Sequence, residues 1–197
     1  ADRVSGYKTF GLDPYKKTVL ISGGSRGARS INSAMIGVLQ HYAGQPGVQF
    51  LHVTGKNDYE SVMQKIREAG IDLKQAANLH VEPYLYNMPQ AMAVADLVVF
   101  RAGATGIAEL TARGIPAILI PYPYAAANHQ RKNAQFMVDK RAALYLEDAD
   151  TTKDTLLIAI EQLLDNPKKL QLIQKNAFDM AKLNATNDII SQVKGLI

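Results

Sequence analysis

Short runs of consecutive apolar residues alternate along the chain with longer stretches in which apolar residues return every three or four positions. Thr18-Val19-Leu20-Ile21-Ser22 and Leu97-Val98-Val99-Phe100 are unbroken runs that empty into glycine turns, the pattern of strands buried on both faces. Val48 to Thr54, Leu79 to Glu82, Ile115 to Pro121 and Ala143 to Leu146 predict four more strands. Between them Ile31, Met35, Val38, Leu39 and Tyr42 mark one face of a helix from about Ala28 to Tyr42, which Gly44, Pro46 and Gly47 end. The same spacing predicts helices over Asp58 to Ala69, Asn87 to Ala95, Gly106 to Arg113, His129 to Lys140, Thr152 to Asp165, Pro167 to about Leu183 and Ala185 to Val193. Strands alternating with helices imply an α/β fold, a parallel sheet of about six strands with helices on both faces. No internal repeat or low-complexity segment interrupts it, and residues 18–197 read as one domain. The polar opening, residues 1–17, is expected to be a linker entering it, and a start at Ala1 rather than Met suggests a processed product or a fragment.

Composition narrows the class. At 197 residues the chain suffices for one full α/β domain, and 47% hydrophobic against 20% charged residues is the balance of a globular protein rather than a disordered one. The net charge of +4 comes from scattered Lys and Arg, a surface that tolerates an anionic ligand or membrane headgroups but forms no nucleic-acid stripe. The absence of cysteine removes disulfides and thiolate metal sites. No run approaches the roughly 18 apolar residues of a spanning helix, and no signal peptide is visible.

The chemistry starts at Gly23-Gly24-Ser25-Arg26-Gly27, between the first strand and its helix. Glycines admit close backbone approach and a helix start presents unpaired N–H groups, so the turn is a candidate anion site. It is neither the G-x-G-x-x-G dinucleotide fingerprint nor a P-loop. A second such turn, Arg101-Ala102-Gly103-Ala104-Thr105-Gly106, follows the fourth strand. Ligands of open parallel sheets sit beyond the carboxyl ends of strands where the strand order reverses, so both turns are expected to face one cleft.

Thr105 and Glu109, four apart, share a helix face. A carboxylate there accepts two hydroxyls at once, as on a ribose, and otherwise serves only the helix dipole. The loop Pro121 to Gln130, of small residues, ends at a helix start in Asn128, His129 and Gln130, which can bond sugar hydroxyls or phosphate; Asn128 alternatively caps the helix. His41, His52 and His80 lack ligand spacing and read as surface or satisfied core residues. Asp148-Ala149-Asp150 matches a metal-holding D-x-D only superficially and reads as acidic residues serving a helix start. Asn184-Ala185-Thr186 likewise reads as a helix cap.

Three motifs in order, Gly23-Gly24-Ser25-x-Gly27-Ala28-Arg29-x-x-Asn32, Arg101-Ala102-Gly103-Ala104-x-x-x-x-Glu109 and His129-Gln130-x-x-Asn133-Ala134, span almost the whole chain. They resemble the C-terminal half of the MurG family, the UDP-N-acetylglucosamine transferases that convert lipid I to lipid II in bacterial peptidoglycan synthesis. The resemblance implies one Rossmann-like half of a GT-B glycosyltransferase, with residues 18–197 as the UDP-N-acetylglucosamine-binding domain. It implies that Gly24 and Ser25, with the backbone at Gly103, Ala104 and Thr105, hold the diphosphate and that Glu109 takes the ribose hydroxyls. Leu85 and Met88 would border the uracil, Ala125, His129, Gln130 and Asn133 would face the N-acetylglucosamine, and Arg101 would sit beside the nucleotide. Lipid I and the general base would belong to an N-terminal half, leaving no catalytic residue, metal or cofactor here. The family's setting implies a cytoplasmic enzyme peripheral on the inner face of the cell membrane. Two positions depart from the family: Arg26 where glutamine is usual, and Gly106 where threonine is usual.

Three other readings compete. A stand-alone nucleotide-sugar subunit with a membrane partner would share these motifs, as would a nucleotide-sensing module without activity. A dinucleotide-dependent oxidoreductase predicts an acidic residue closing the second strand, which here ends Val53-Thr54-Gly55.

Overall fold

The structure, a computed structural model, describes residues 2–194; Ala1 of the expected opening stretch and residues 195–197 of the expected domain lie outside the described residues. Its strands are β1 (Lys17–Ser22), β2 (Val48–Val53), β3 (Leu79–Glu82), β4 (Leu97–Phe100), β5 (Ala117–Leu119) and β6 (Leu144–Tyr145). They form one parallel sheet in the order β3-β2-β1-β4-β5-β6. The helices are α1 (Arg3–Phe10), α2 (Arg29–Tyr42), α3 (Tyr59–Glu68), α4 (Met88–Val94), α5 (Ala104–Arg113), α6 (His129–Asp139), α7 (Lys153–Leu164), α8 (Pro167–Asp179) and α9 (Ala185–Lys194).

Both faces of the sheet are covered, which is why the central strands β1 and β4 carry unbroken apolar runs, Val19 to Ile21 and Leu97 to Phe100. Val19 and Ile21 of β1 pack with Ile31, Met35, Leu39, Val62 and Ile160 of α2, α3 and α7. Leu20, between them, faces the opposite layer of Met92, Leu110 and Met137 from α4, α5 and α6. From β1 the chain winds outward through β2 and β3, and from β4 it winds the other way through β5 and β6. The reversal falls between β1 and β4, paired from Val19↔Leu97 to Ser22↔Phe100. Their following turns therefore leave the sheet side by side, at the crevice where ligands of such folds bind.

The opening stretch contains a helix that its polar composition gave no reason to expect. Asp2 caps α1 by accepting the Ser5 N–H at 2.9 Å, and Gly11 ends it in a left-handed conformation. The helix crosses α4 at Gly6, where a Cβ would come within 2.5 Å of Val94 Cγ1. Arg3 pairs with Asp96 at 2.9 Å, and the other Asp96 oxygen accepts the Thr18 N–H at 2.8 Å. Near the other end, α8 stops at Asp179 rather than Leu183, and α9 follows as a separate helix.

Candidate functional site

The turn after β1 is built backbone on backbone. Gly27 takes φ +79°, and its N–H closes the turn onto the Gly24 carbonyl at 3.0 Å. Its α-carbon lies so close to the Thr54 carbonyl beyond β2 that a Cβ would overlap that oxygen. Asn32 Nδ2, on the first turns of α2, donates to the same carbonyl at 2.9 Å, and Asn32 Oδ1 accepts from His52 Nε2 at 3.0 Å. This buried chain of polar groups fixes the turn and α2 to the end of β2.

His52 is fully buried, and its Nδ1 has no partner among the described residues. Burial pushes its imidazole from the ordinary 6.5 down to about 4, so the ring is neutral at pH 7 and donates through Nε2. Because the unfolded chain takes up this proton near pH 6.5 and the folded chain only near 4, the contribution is complete above 6.5 and lost as pH falls toward 4. Acidification across that window is expected to remove about 3 kcal/mol of unfolding free energy. Urea denaturation at several pH values checks this. The His52→Leu variant, less stable at pH 7.5, should show a correspondingly shallower slope, and an unchanged slope would exclude His52 as its source.

Two helix starts open on one space. Ala28 and Gly103 stand at the N-caps of α2 and α5, and neither supplies a side-chain cap. The first helical bonds run from Asn32 N to Ala28 O at 2.8 Å and from Ile107 N to Gly103 O at 3.0 Å. The N–H groups of the first three residues of each helix are thus left without helical partners, and neither first turn carries an acidic residue. An open cavity of about 890 Å³ has Gly23 to Ser30 on one wall and Phe100, Arg101, Gly103 and Gly106 on the other. Main-chain donors and two positive helix ends suit a multivalent anion.

The sequence-predicted residues distribute over this cavity and two adjoining spaces. Gly24, Ser25, Arg101, Gly103 and Gln130 line the cavity itself. Next to it, a pocket of about 480 Å³ brings Leu85, Met88, Thr105 and Glu109 together with Gly24 and Ser25. Ala104 and Asn133 border a third space, a groove of about 650 Å³, where Thr105 and Glu109 also appear. Asn133 Nδ2 donates to the Ala102 carbonyl at 3.1 Å, tying α6 to the turn after β4. Ala125, in the loop ahead of α6, and His129, the first residue of α6, line none of these three spaces, and His129 Nδ1 bonds the Ala126 carbonyl at 2.8 Å.

Several local expectations change. Asn128 sits left-handed with φ 53° and its side chain makes no capping bond. Asp148 opens a short 3-10 turn but does not cap α7, whose capping box is Thr152 and Thr155; its carboxylate instead accepts from Arg101 Nη1 and from Ser30 Oγ beside the cavity. Gly106 faces the Phe100 ring, where a Cβ would come within 2.5 Å of Cε1. A threonine there cannot coexist with that ring position, so Phe100 and Gly106 are a matched pair. Arg26 is exposed on the cavity wall.

Sequence reasoning missed Ser30, Tyr84 and Tyr122. Tyr84 joins Leu85 and Met88 in the smaller pocket. The Tyr122 N–H donates to Gln130 Oε1 at 2.9 Å, and its ring centroid lies 5.6 Å from the Arg101 guanidinium carbon. Tyr84 and Tyr122 stand in loops beyond β3 and β5, where apolar periodicity carries no signal. Among the described residues no cluster of His, Asp and Glu could hold a metal ion.

Residues 18–193 match the glycosyltransferase family 28 C-terminal domain. The chain is 42% identical over its whole length to the UDP-N-acetylglucosamine--N-acetylmuramyl-(pentapeptide) pyrophosphoryl-undecaprenol N-acetylglucosamine transferase of Desulforamulus reducens, covering 53% of that protein. It is 43% identical over 193 residues to the transferase of the same name from Moorella thermoacetica, with 98% of this chain and 52% of that protein covered. The crystal structure of Acinetobacter baumannii MurG superposes with a TM-score of 0.77 at 26% identity, over 96% of this chain and 53% of that one. The chain spans about half the length of these relatives.

Proposed function

The chain belongs to the glycosyltransferase family 28 C-terminal domain family, and from that premise we propose that it is the donor-binding half of an inverting N-acetylglucosaminyltransferase. The donor is UDP-N-acetylglucosamine and the acceptor lipid I, as in the reaction named for its relatives. One observation carries the reading: the starts of α2 and α5 open on a single cavity, with the Glu109 carboxyl in the pocket beside it.

In this reading the diphosphate lies between the two turns, held by the N–H groups at Gly24 and Ser25 and at Gly103, Ala104 and Thr105. Glu109 takes the ribose hydroxyls, Leu85 and Met88 border the uracil, and Ala125, His129, Gln130 and Asn133 face the sugar. An acceptor hydroxyl attacks the anomeric carbon and its bond to the diphosphate oxygen breaks, so negative charge builds on the leaving UDP. Main-chain donors already aimed at that oxygen stabilise the transition state more than the ground state, and each is worth on the order of 3 kcal/mol of barrier. The general base and the lipid I site are assigned, on the family resemblance, to an N-terminal half. The setting is the cytoplasmic face of the cell membrane, with peripheral attachment; among the described residues no helix is long and apolar enough to cross a membrane.

Isothermal calorimetry on this chain tests the reading. UDP and UDP-N-acetylglucosamine are expected to bind saturably while NAD gives only heats of dilution, and the chain alone should transfer no sugar to lipid I. Equal heats from all three ligands would overturn it, and saturable NAD binding alone would favour an oxidoreductase domain.

A further inference from the structure

Arg101 ends two residues before the N-cap of α5, and its guanidinium, almost buried at 12% side-chain exposure, is already committed. Nη1 donates to the carbonyls of Ile120 at 3.2 Å and Pro121 at 3.1 Å and to Asp148 Oδ1; Nη2 donates to Ser30 Oγ at 3.2 Å. Ser30 Oγ in turn donates to the same Asp148 oxygen. Ser30 is the second residue of α2, and Asp148 opens a short 3-10 turn, Asp148–Asp150, beyond β6. One side-chain triad therefore joins the first turn of α2 to the end of β4 and to the loops beyond β5 and β6.

The electrostatics are as informative as the geometry. A carboxylate on the wall of an anion cavity opposes the anion unless a cation cancels it, and Asp148 lines that cavity in direct contact with Arg101. The pair is close to neutral toward a ligand, so it adds little attraction of its own beside the helix starts and the exposed Arg26 on the cavity wall. Those starts belong to two separate crossovers, after β1 and after β4. Asn32 ties the first start to the end of β2 and Asn133 ties the second to α6, but neither bond joins one start to the other; the triad does, and so can keep one diphosphate-sized separation.

We propose that Arg101, Asp148 and Ser30 are positioning residues that set the spacing of the two anion-facing helix starts, and that Arg101 is not itself the diphosphate's cation. This rests on the proposed nucleotide-sugar function and adds to it which residues hold the site in register. It also makes a prediction opposite to the Coulombic one. Removing the Asp148 charge leaves the Arg101 charge unopposed beside the cavity, which by itself attracts UDP more strongly.

Calorimetry of the Asp148→Asn variant with UDP and with uridine separates the cases. If the triad positions the helix starts, UDP affinity falls roughly tenfold although positive charge is gained, because misplacing donors by a fraction of an ångström loses their alignment. Uridine, which lacks phosphates, should bind within about twofold of wild type, a selectivity that general loosening of the fold would not produce. Unchanged or tighter UDP binding, or equal loss of UDP and uridine, overturns the proposal. Ser30→Ala, which removes one hydroxyl and leaves both charges, is the second variant should Asp148→Asn not fold, and the same UDP-selective loss is required of it. Failure of the wild-type chain to bind UDP would instead remove the functional reading on which the triad's role depends.

Discussion

Replacing Glu109 with alanine is expected to weaken UDP binding at least a hundredfold while leaving the fold intact. Glu109 is exposed in the middle of α5, and it lines the pocket shared by Gly24, Ser25, Leu85, Met88 and Thr105. Because the side chain is exposed, its loss is expected to fall mainly on the ligand. A carboxylate that accepts two hydroxyls makes two charge-assisted hydrogen bonds, together about 3 kcal/mol or more, and every 1.4 kcal/mol is a factor of ten in affinity. A second ligand makes the argument specific to ribose. With the wild-type chain, 2′-deoxy-UDP should bind roughly tenfold more weakly than UDP, because one of the two bonds is missing. With Glu109→Ala the two ligands should bind alike, since the group that told them apart has gone. Equal affinity of wild type and variant for UDP would remove Glu109 from the site and leave the pocket's wall without a ribose partner.

The sheet was legible in the sequence because a strand buried on both faces must be apolar throughout, and Val19-Leu20-Ile21 and Leu97-Val98-Val99 are. The two glycine turns were legible for a related reason: each follows such a run and precedes a helix, so chain order alone placed them at strand ends. Their meeting in one cavity needed the strand order, which depends on pairing between β1 and β4, residues some eighty positions apart in the chain. The opening helix was hidden because the one residue it buries fully is Gly6, which has no apolar side chain, while Tyr7 and Phe10 pack only partly against the layer that includes α4. The tie from Asp148 to Arg101 and Ser30 was hidden because these partners lie 47 and 118 positions away. A polar tie of that span leaves no periodic trace. The same holds for Phe100 and Gly106, whose compatibility shows only when the ring is seen against the helix.

The turn after β1 should tolerate substitution far less at Gly27 than its loop position suggests, and Gly27→Ala is expected to cost about 4 kcal/mol of folding stability, from left-handed strain and from overpacking. The residue holds φ +79°, which alone disfavours any side chain. Its Cβ would also be driven into the Thr54 carbonyl. That oxygen cannot swing away cheaply, because it accepts Asn32 Nδ2 at 2.9 Å, and the Thr54 N–H is bonded to the Glu82 carbonyl at 3.0 Å. Any retreat breaks the polar chain through Asn32 to His52 and leaves buried groups unpaired, each a further penalty. Gly44 supplies the control: it has φ +72° with open space around it, so Gly44→Ala carries only the conformational cost, about 1–2 kcal/mol. Equilibrium denaturation of the two variants against wild type measures the difference directly. Similar small losses from both would mean that the turn relaxes around a side chain, in which case its N–H donors are not held fixed and the preorganised anion site has no rigid frame.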